Sequence, residues 1–164
     1  MARNKSNFFE VNSHKASVRV TINSIMMGGL FLVLTLIWTG DPAKFNMFIV
    51  SQLVLAVPLL YVSALAYLKI GYSEKVFLWD TLGWFTSNIG SILILNAVGL
   101  MTIPVNRTIT FLYFFLMIAL MLIYSIINIV YNPNEKGEKI FKFLFFLIVV
   151  IAGGLLPLMF GMPH

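Results

Sequence analysis

The apolar residues of this chain come in five long runs separated by short polar connections, at residues 20–38, 47–68, 82–103, 109–131 and 140–160. Each run is about 20 residues, which at about 1.5 Å per residue of helix crosses a hydrocarbon layer of roughly 30 Å. Membrane barrel strands alternate in polarity over about ten residues, and these runs do not. In lipid every backbone polar group must be satisfied within the protein, so the pattern predicts helices. The expected fold is therefore all-α: a polytopic integral membrane protein with five transmembrane helices, in which residues 1–19 form an amino-terminal tail and residues 20–162 a single membrane domain.

The connections set the order of the helices. "GDPAKFN" joins the first two runs and "PVNR" the third and fourth, each with a proline to end or turn a helix. Helices joined so closely are antiparallel neighbours, which gives two hairpins of one orientation and a fifth helix by itself. No residue match between the hairpins indicates a repeat. The segment "KIGYSEKVFLWD" mixes charge with Tyr72, Phe77 and Trp79, as suits a stretch at headgroup level. "NPNEKGEK" reads as a polar turn. Asp80 stands where the N-cap of the third helix is expected.

Composition agrees with this placement. Of 164 residues, 60% are apolar and only 10% charged, more apolar surface than a water-soluble domain of this size can hide. The first run follows a basic polar lead but exceeds a signal-peptide core in length and lacks a small-x-small cleavage pattern, so it reads as a permanent span. Ala2 in place of Gly excludes amino-terminal myristoylation, and the zero cysteines exclude prenylation, palmitoylation, disulfides and thiolate chemistry. The triplet at Asn106, "NRT", matches a glycosylation acceptor, but its loop is too tight against the membrane to be modified.

The basic residues are distributed unevenly. Arg3, Lys5, Lys15 and Arg19 precede the first run, Lys69 and Lys75 lie in the second connection, and Lys136, Lys139 and Lys142 belong to the fourth; only Lys44 and Arg107 fall on the other side. By the positive-inside rule the amino terminus is expected to be cytoplasmic and the carboxyl terminus outside, in a plasma or inner membrane. The net charge of +5 is thus a topology signal. The cations are spread singly over three short segments and not gathered into a patch, so no nucleic-acid partner is expected.

Within the spans no ionisable residue is assigned to the membrane interior, which disfavours a proton-coupled transporter, a pump or a voltage sensor. His14 and His164 are expected on opposite sides, and no nucleophile–base pair or metal triad can be assembled from the helices. The protein is therefore read as non-enzymatic, with no metal and no cofactor.

What remains is a set of uncharged polar residues. In the third run Asn88 and Asn96 lie about 9 Å and about 21 Å from the inner end. Thr21, Asn23 and Ser24 in the first run, Ser63 in the second, and Ser125 and Asn128 in the fourth fall at the inner depth, with Gln52 and Asn96 as a sparser outer pair. Tyr113, Met117, Leu120, Tyr124, Asn128 and Tyr131 share one side of the fourth helix. The pore- or ligand-lining candidates are Asn88, Ser91, Asn96, Gln52, Tyr124, Asn128 and Asn23. The competing structural role for such residues is hydrogen bonding between helices, with Gly83, Ser87 and Ser91 at four-residue intervals as a small-residue packing face. Gly28, Gly29, Gly153 and Gly154 are further helix-packing positions, and Pro58 and Pro157 are points of bending.

The sequence supports, in first place, a non-enzymatic oligomeric membrane protein forming a channel or membrane-permeability element lined by uncharged polar residues. The alternative is a membrane anchor or accessory subunit that docks a soluble or membrane partner, and the third reading is an uncoupled small-solute carrier. The expected partners are the lipid bilayer, further copies of the chain or the other subunits of a larger membrane complex, and a cytoplasmic protein.

Overall fold

The computed structural model describes residues 5–41, 45–71, 76–131 and 136–161, with side chains from Lys15 onward. Arg3, Lys44, Tyr72, Lys75 and His164, the "NPNE" half of the "NPNEKGEK" turn, and the side chains of Lys5 and His14 lie outside the described residues. The described elements are all helical: α1 (Lys5–Thr39), α2 (Met47–Ile70), α3 (Val76–Met101), α4 (Arg107–Tyr131), α5 (Lys136–Val150), a π-helical turn (Ile151–Leu155) and α6 (Leu156–Phe160). Among the described residues five helical segments are long and apolar enough to cross a membrane, the last running from Lys136 through the π turn to Phe160.

Two boundaries differ from the sequence reading. The helix of the first span continues back to Lys5, through the polar lead. The third starts at Val76, so Asp80 lies inside α3 and is not its N-cap; it forms an ion pair with Arg19 at 3.5 Å instead. Among the described residues two helix starts are capped by an asparagine side chain. Asn46 Oδ1 accepts from Phe48 N–H at the start of α2, and Asn106 Oδ1 from Thr108 N–H at the start of α4, each at 2.8 Å. Each occupies one of the amides that a helix start leaves without an internal partner. The side chain of the "NRT" asparagine is thus engaged in holding the α3–α4 turn, next to the Thr102–Thr110 hydroxyl pair at 2.8 Å.

The chain divides into two compact units. The first comprises residues 1–42 and 53–91, hence α1, most of α2 and the first part of α3; the second comprises residues 43–52 and 92–164. In the first unit the packed interior is formed by Leu30, Leu34, Ile37, Leu53, Ala56 and Leu60, with a smaller cluster of Ala16, Tyr67 and Ile70 against Val20, Val76 and Trp79. The second unit is built around Ile92, Ala97, Leu100, Phe114, Val150 and Leu158. Of the most apolar stretch of α4 only 11% is buried, against 39% in α3. An apolar surface left this open suits a helix whose surroundings are lipid or another protein.

Basic side chains close both ends of the second unit. Lys139 Nζ donates to the carbonyl oxygen of Asn128 at 2.8 Å, in the last turn of α4. Arg107 Nη2 donates to the carbonyl oxygen of Leu158 at 2.7 Å, in the last turn of α6. Terminal carbonyls lack helical partners and carry the negative end of the helix dipole, so each cation satisfies an orphan acceptor and the local field together.

Candidate functional site

The first unit contains a closed polar circuit. Asn23 on α1 is 1% exposed and Ser63 on α2 is fully buried. Asn23 Nδ2 donates to Ser63 Oγ at 2.8 Å, and Ser63 Oγ donates to the Gly83 carbonyl on α3 at 2.8 Å. Ser87 Oγ, one turn further along α3, donates back to Asn23 Oδ1 at 2.9 Å. Three helices are thereby tied together, and a carboxamide that would be costly to bury alone has a partner at each end. Ser91 donates to the Ser87 carbonyl at 2.7 Å and touches Met26 Sδ at 3.6 Å. Gly83 allows the close approach this requires: a Cβ placed there would stand 2.9 Å from the Tyr67 ring. Gly90, seven residues on and so on the same face, meets Leu60 in the same way at 3.1 Å.

At one end of this unit Arg19 holds Tyr67. Its guanidinium lies 5.0 Å from the centre of the Tyr67 ring, donates to the Tyr67 hydroxyl, and pairs with Asp80. A guanidinium can stack on a ring face and donate in its own plane at once, which an ammonium cannot.

The second unit holds the outer pair. Gln52, on the first turns of α2, is 4% exposed and Asn96 on α3 is fully buried. Gln52 Nε2 donates to the Gly153 carbonyl at 2.9 Å, and Asn96 Nδ2 to the Val149 carbonyl at 3.2 Å. The local sequence explains why the first of these carbonyls, that of Gly153, is open to a side chain. Pro157 has no N–H to give the carbonyl four residues before it, which is that of Gly153, and its ring crowds the same oxygen. The helix widens there into the π turn, whose Leu156 N–H reaches back five residues to the Ile151 carbonyl. Gly153 and Gly154 make room: a Cβ at Gly154 would run into the Phe114 ring and one at Gly153 into the Asn96 carboxamide. Gly99 plays the same part opposite Tyr113, whose hydroxyl donates to the Leu95 carbonyl at 3.0 Å.

The structure thus brings Asn23, Ser87 and Ser91 together in one unit, and Gln52, Asn96, Gly153 and Gly154 in the other. The remaining candidates stand apart. Asn88 is half-buried and donates within its own helix, to the Trp84 carbonyl at 2.5 Å. Tyr124 is 71% exposed, and Asn128 is half-buried with its backbone carbonyl taken by Lys139. Gly28 and Gly29 are exposed, and a Cβ at either would meet nothing within 4 Å. Among the described glycines, those at which one helix closely approaches another are therefore Gly83, Gly90, Gly99, Gly153 and Gly154. Sequence reasoning missed Gly90 and Gly99; the seven-residue step from Gly83 was the signal for the first.

Chemically, the first cluster is a hydrogen-bonded joint with its polar atoms paired, and the second is a carboxamide pair laid against an opened helix. Among the described residues no three His, Cys, Asp or Glu side chains gather where a metal ion could be held. Comparison with protein-family models, with curated proteins and with solved structures finds no match to this chain. Fold and composition fit a multi-pass helical membrane protein, five helical segments among the described residues being long and apolar enough to span a membrane.

Proposed function

We propose that this protein is a non-enzymatic membrane-embedded subunit, working by association with other proteins, whose intramembrane polar residues serve to fix its helices. The observation that carries this reading is the closed circuit of Ser87, Asn23, Ser63 and the Gly83 carbonyl, with every link at 2.8 or 2.9 Å. Polar groups committed to one another in this way are poor pore-lining groups, because a permeating solute would have to displace them. The broad open surface of α4 supports association, since an apolar helix face so little covered by its own chain is available to a neighbour as well as to lipid. In the proposed orientation the amino terminus and the basic connections are cytoplasmic.

The channel reading keeps one supporting observation, the outward-facing Tyr124 on α4, which would line a path between copies and not one within a single chain. One preparation separates the two. The complex is extracted gently from its own membrane, its native mass is measured, and the purified chain is then placed in liposomes. The subunit reading expects a discrete mass containing other polypeptides and no ion flux from the purified chain; a strict monomer overturns it. A homo-oligomer that conducts, and whose conductance falls in Tyr124→Leu, establishes the channel instead. Since the chain has no cysteine, single cysteines introduced at Lys15 and at Gly161 report orientation by labelling in sealed cells. Equal labelling from one side overturns a five-span topology.

A further inference from the structure

Three helices of the first unit meet at one level beside Arg19. Ala16 of α1 with Tyr67 and Ile70 of α2 forms a buried cluster, against which Val76 and Trp79 of α3 pack. Lys15 directly precedes the first of these residues and Lys69 lies between the other two, so both stand at the height of the cluster. Both lysines are exposed, and neither makes a hydrogen bond or ion pair with a described residue. Asp80, the acid described at this end, is paired with Arg19. Two cations are therefore left without a counter-charge among the described residues. The sequence as a whole gives the same sign, for residues 1–19 and 69–80 hold six Lys and Arg against three Asp and Glu.

The depth of these groups follows from the helices. From Arg19 to the end of α1 at Thr39, and from Asp80 to the end of α3 at Met101, each helix covers about 30 Å at about 1.5 Å per residue, the thickness of a hydrocarbon layer. The Arg19–Asp80 pair thus marks the edge of that layer, and Lys15, one turn before Arg19, lies at headgroup level. Phe77 and Leu78, in the turn before Asp80, are 80% and 60% exposed. An aromatic ring beside free lysines suits the boundary between acyl chains and headgroups.

A partner for this surface must carry negative charge and an apolar part in one molecule. A zwitterionic lipid brings no net charge, and free phosphate brings nothing for Phe77 and Leu78 to touch. We propose that this end of the first unit is a seat for acidic phospholipids, with Lys15 and Lys69 drawing the headgroup phosphates and Phe77 and Leu78 lying against the adjoining acyl chains. In the proposed orientation it meets the cytoplasmic leaflet, where a basic residue near acidic lipid is worth about fivefold in affinity. The inference goes beyond the proposed function and holds for a subunit or a channel alike.

The test is native mass spectrometry of the full chain released from micelles containing phosphatidylglycerol or phosphatidylcholine with the same acyl chains, titrated to give affinities. Phosphatidylglycerol is expected to bind more tightly, and Lys15→Gln with Lys69→Gln to lower its affinity by about 25-fold while leaving phosphatidylcholine unchanged. Lys15→Arg with Lys69→Arg keeps both charges and should retain the preference. Equal affinity for the two lipids in the unaltered protein overturns the proposal, as does an unchanged preference in the glutamine variant. Lys136→Gln removes an exposed lysine from the second unit, and a loss as large as that from Lys15→Gln alone refutes the location. Inorganic phosphate should not displace the lipid at matched concentration; if it does, the ligand is the free anion and the lipid assignment falls. Should the paired glutamine variant fail to accumulate, Lys15→Gln and Lys69→Gln made singly, each expected to cost about fivefold, decide the same point.

Discussion

In the first unit Asn23 uses both ends of its carboxamide, donating to Ser63 and accepting from Ser87, whereas in the second unit Asn96 donates to the Val149 carbonyl and its oxygen takes no partner among the described residues. The two asparagines are equally hidden, at 1% and 0% exposed, so burial does not distinguish them. What differs is what surrounds them. Around Asn23 stand hydroxyls, which both give and accept, and such groups can close a ring. Around Asn96 stand a helix opened by Pro157 and the glutamine that serves it, and no hydroxyl among the described residues donates to the Asn96 oxygen. A buried polar residue in a membrane helix can thus be a finished joint or half of one, and the hydroxyl neighbours decide which.

The largest effect expected is steric. Gly154→Val drives two methyl groups toward Phe114, which is fully buried, and should cost about 3 kcal/mol, read as a shift in the unfolding midpoint in mixed detergent. Next comes a direct comparison of the two asparagines by one and the same substitution. Asn23→Ala removes two bonds and should cost about 2 kcal/mol, while Asn96→Ala removes one bond to protein, leaves space that water can refill, and should cost about 1 kcal/mol or less. Equal costs would break the distinction between a closed and an open cluster.

The fold was legible in the sequence because lipid imposes so coarse a rule: five runs of sufficient length become five helices whatever their details. The edges were less legible. Asp80 reads as a cap from its place before an apolar run, but Arg19 lies elsewhere in the chain, and only the packing of α1 on α3 makes the pair. The members of both clusters were visible as residue types at similar depth, and the Gly83, Ser87 and Ser91 spacing pointed to α3 as a packing helix. Which side chain meets which was not visible, because depth along a helix is given by counting whereas rotation about its axis is set by neighbours. Gly28 and Gly29 show the cost of reading type alone: they look like Gly153 and Gly154, yet no described atom approaches them.

A smaller effect sharpens the account of the open cluster. If Gln52 is needed because Pro157 has no N–H to give, restoring that N–H should make Gln52 dispensable. Gln52→Met is expected to cost about 1 kcal/mol in the native background and close to nothing in Pro157→Ala, a coupling of about 1 kcal/mol in a double-mutant cycle. Additive costs would show that the glutamine serves some other purpose. Smaller again, Lys139→Met should cost about 0.5 kcal/mol by uncovering the Asn128 carbonyl, and Lys139→Arg should recover most of it.

The smallest expected change tests whether glycine type or glycine surroundings governs packing. Gly28→Ala adds a methyl group where nothing stands within 4 Å, and alanine is the better helix former by about 1 kcal/mol in water. Within a span, where the helix is held by its surroundings, the stability of the isolated chain should stay unchanged or rise slightly. The native mass of the complex should be measured on the same variant, because the two readouts separate two kinds of contact. Unchanged stability with a smaller complex would mean that Gly28 lies against another chain. Lost stability in the isolated chain would mean that α1 packs more closely within the chain than the described atoms indicate, and the contrast with Gly154 would fail.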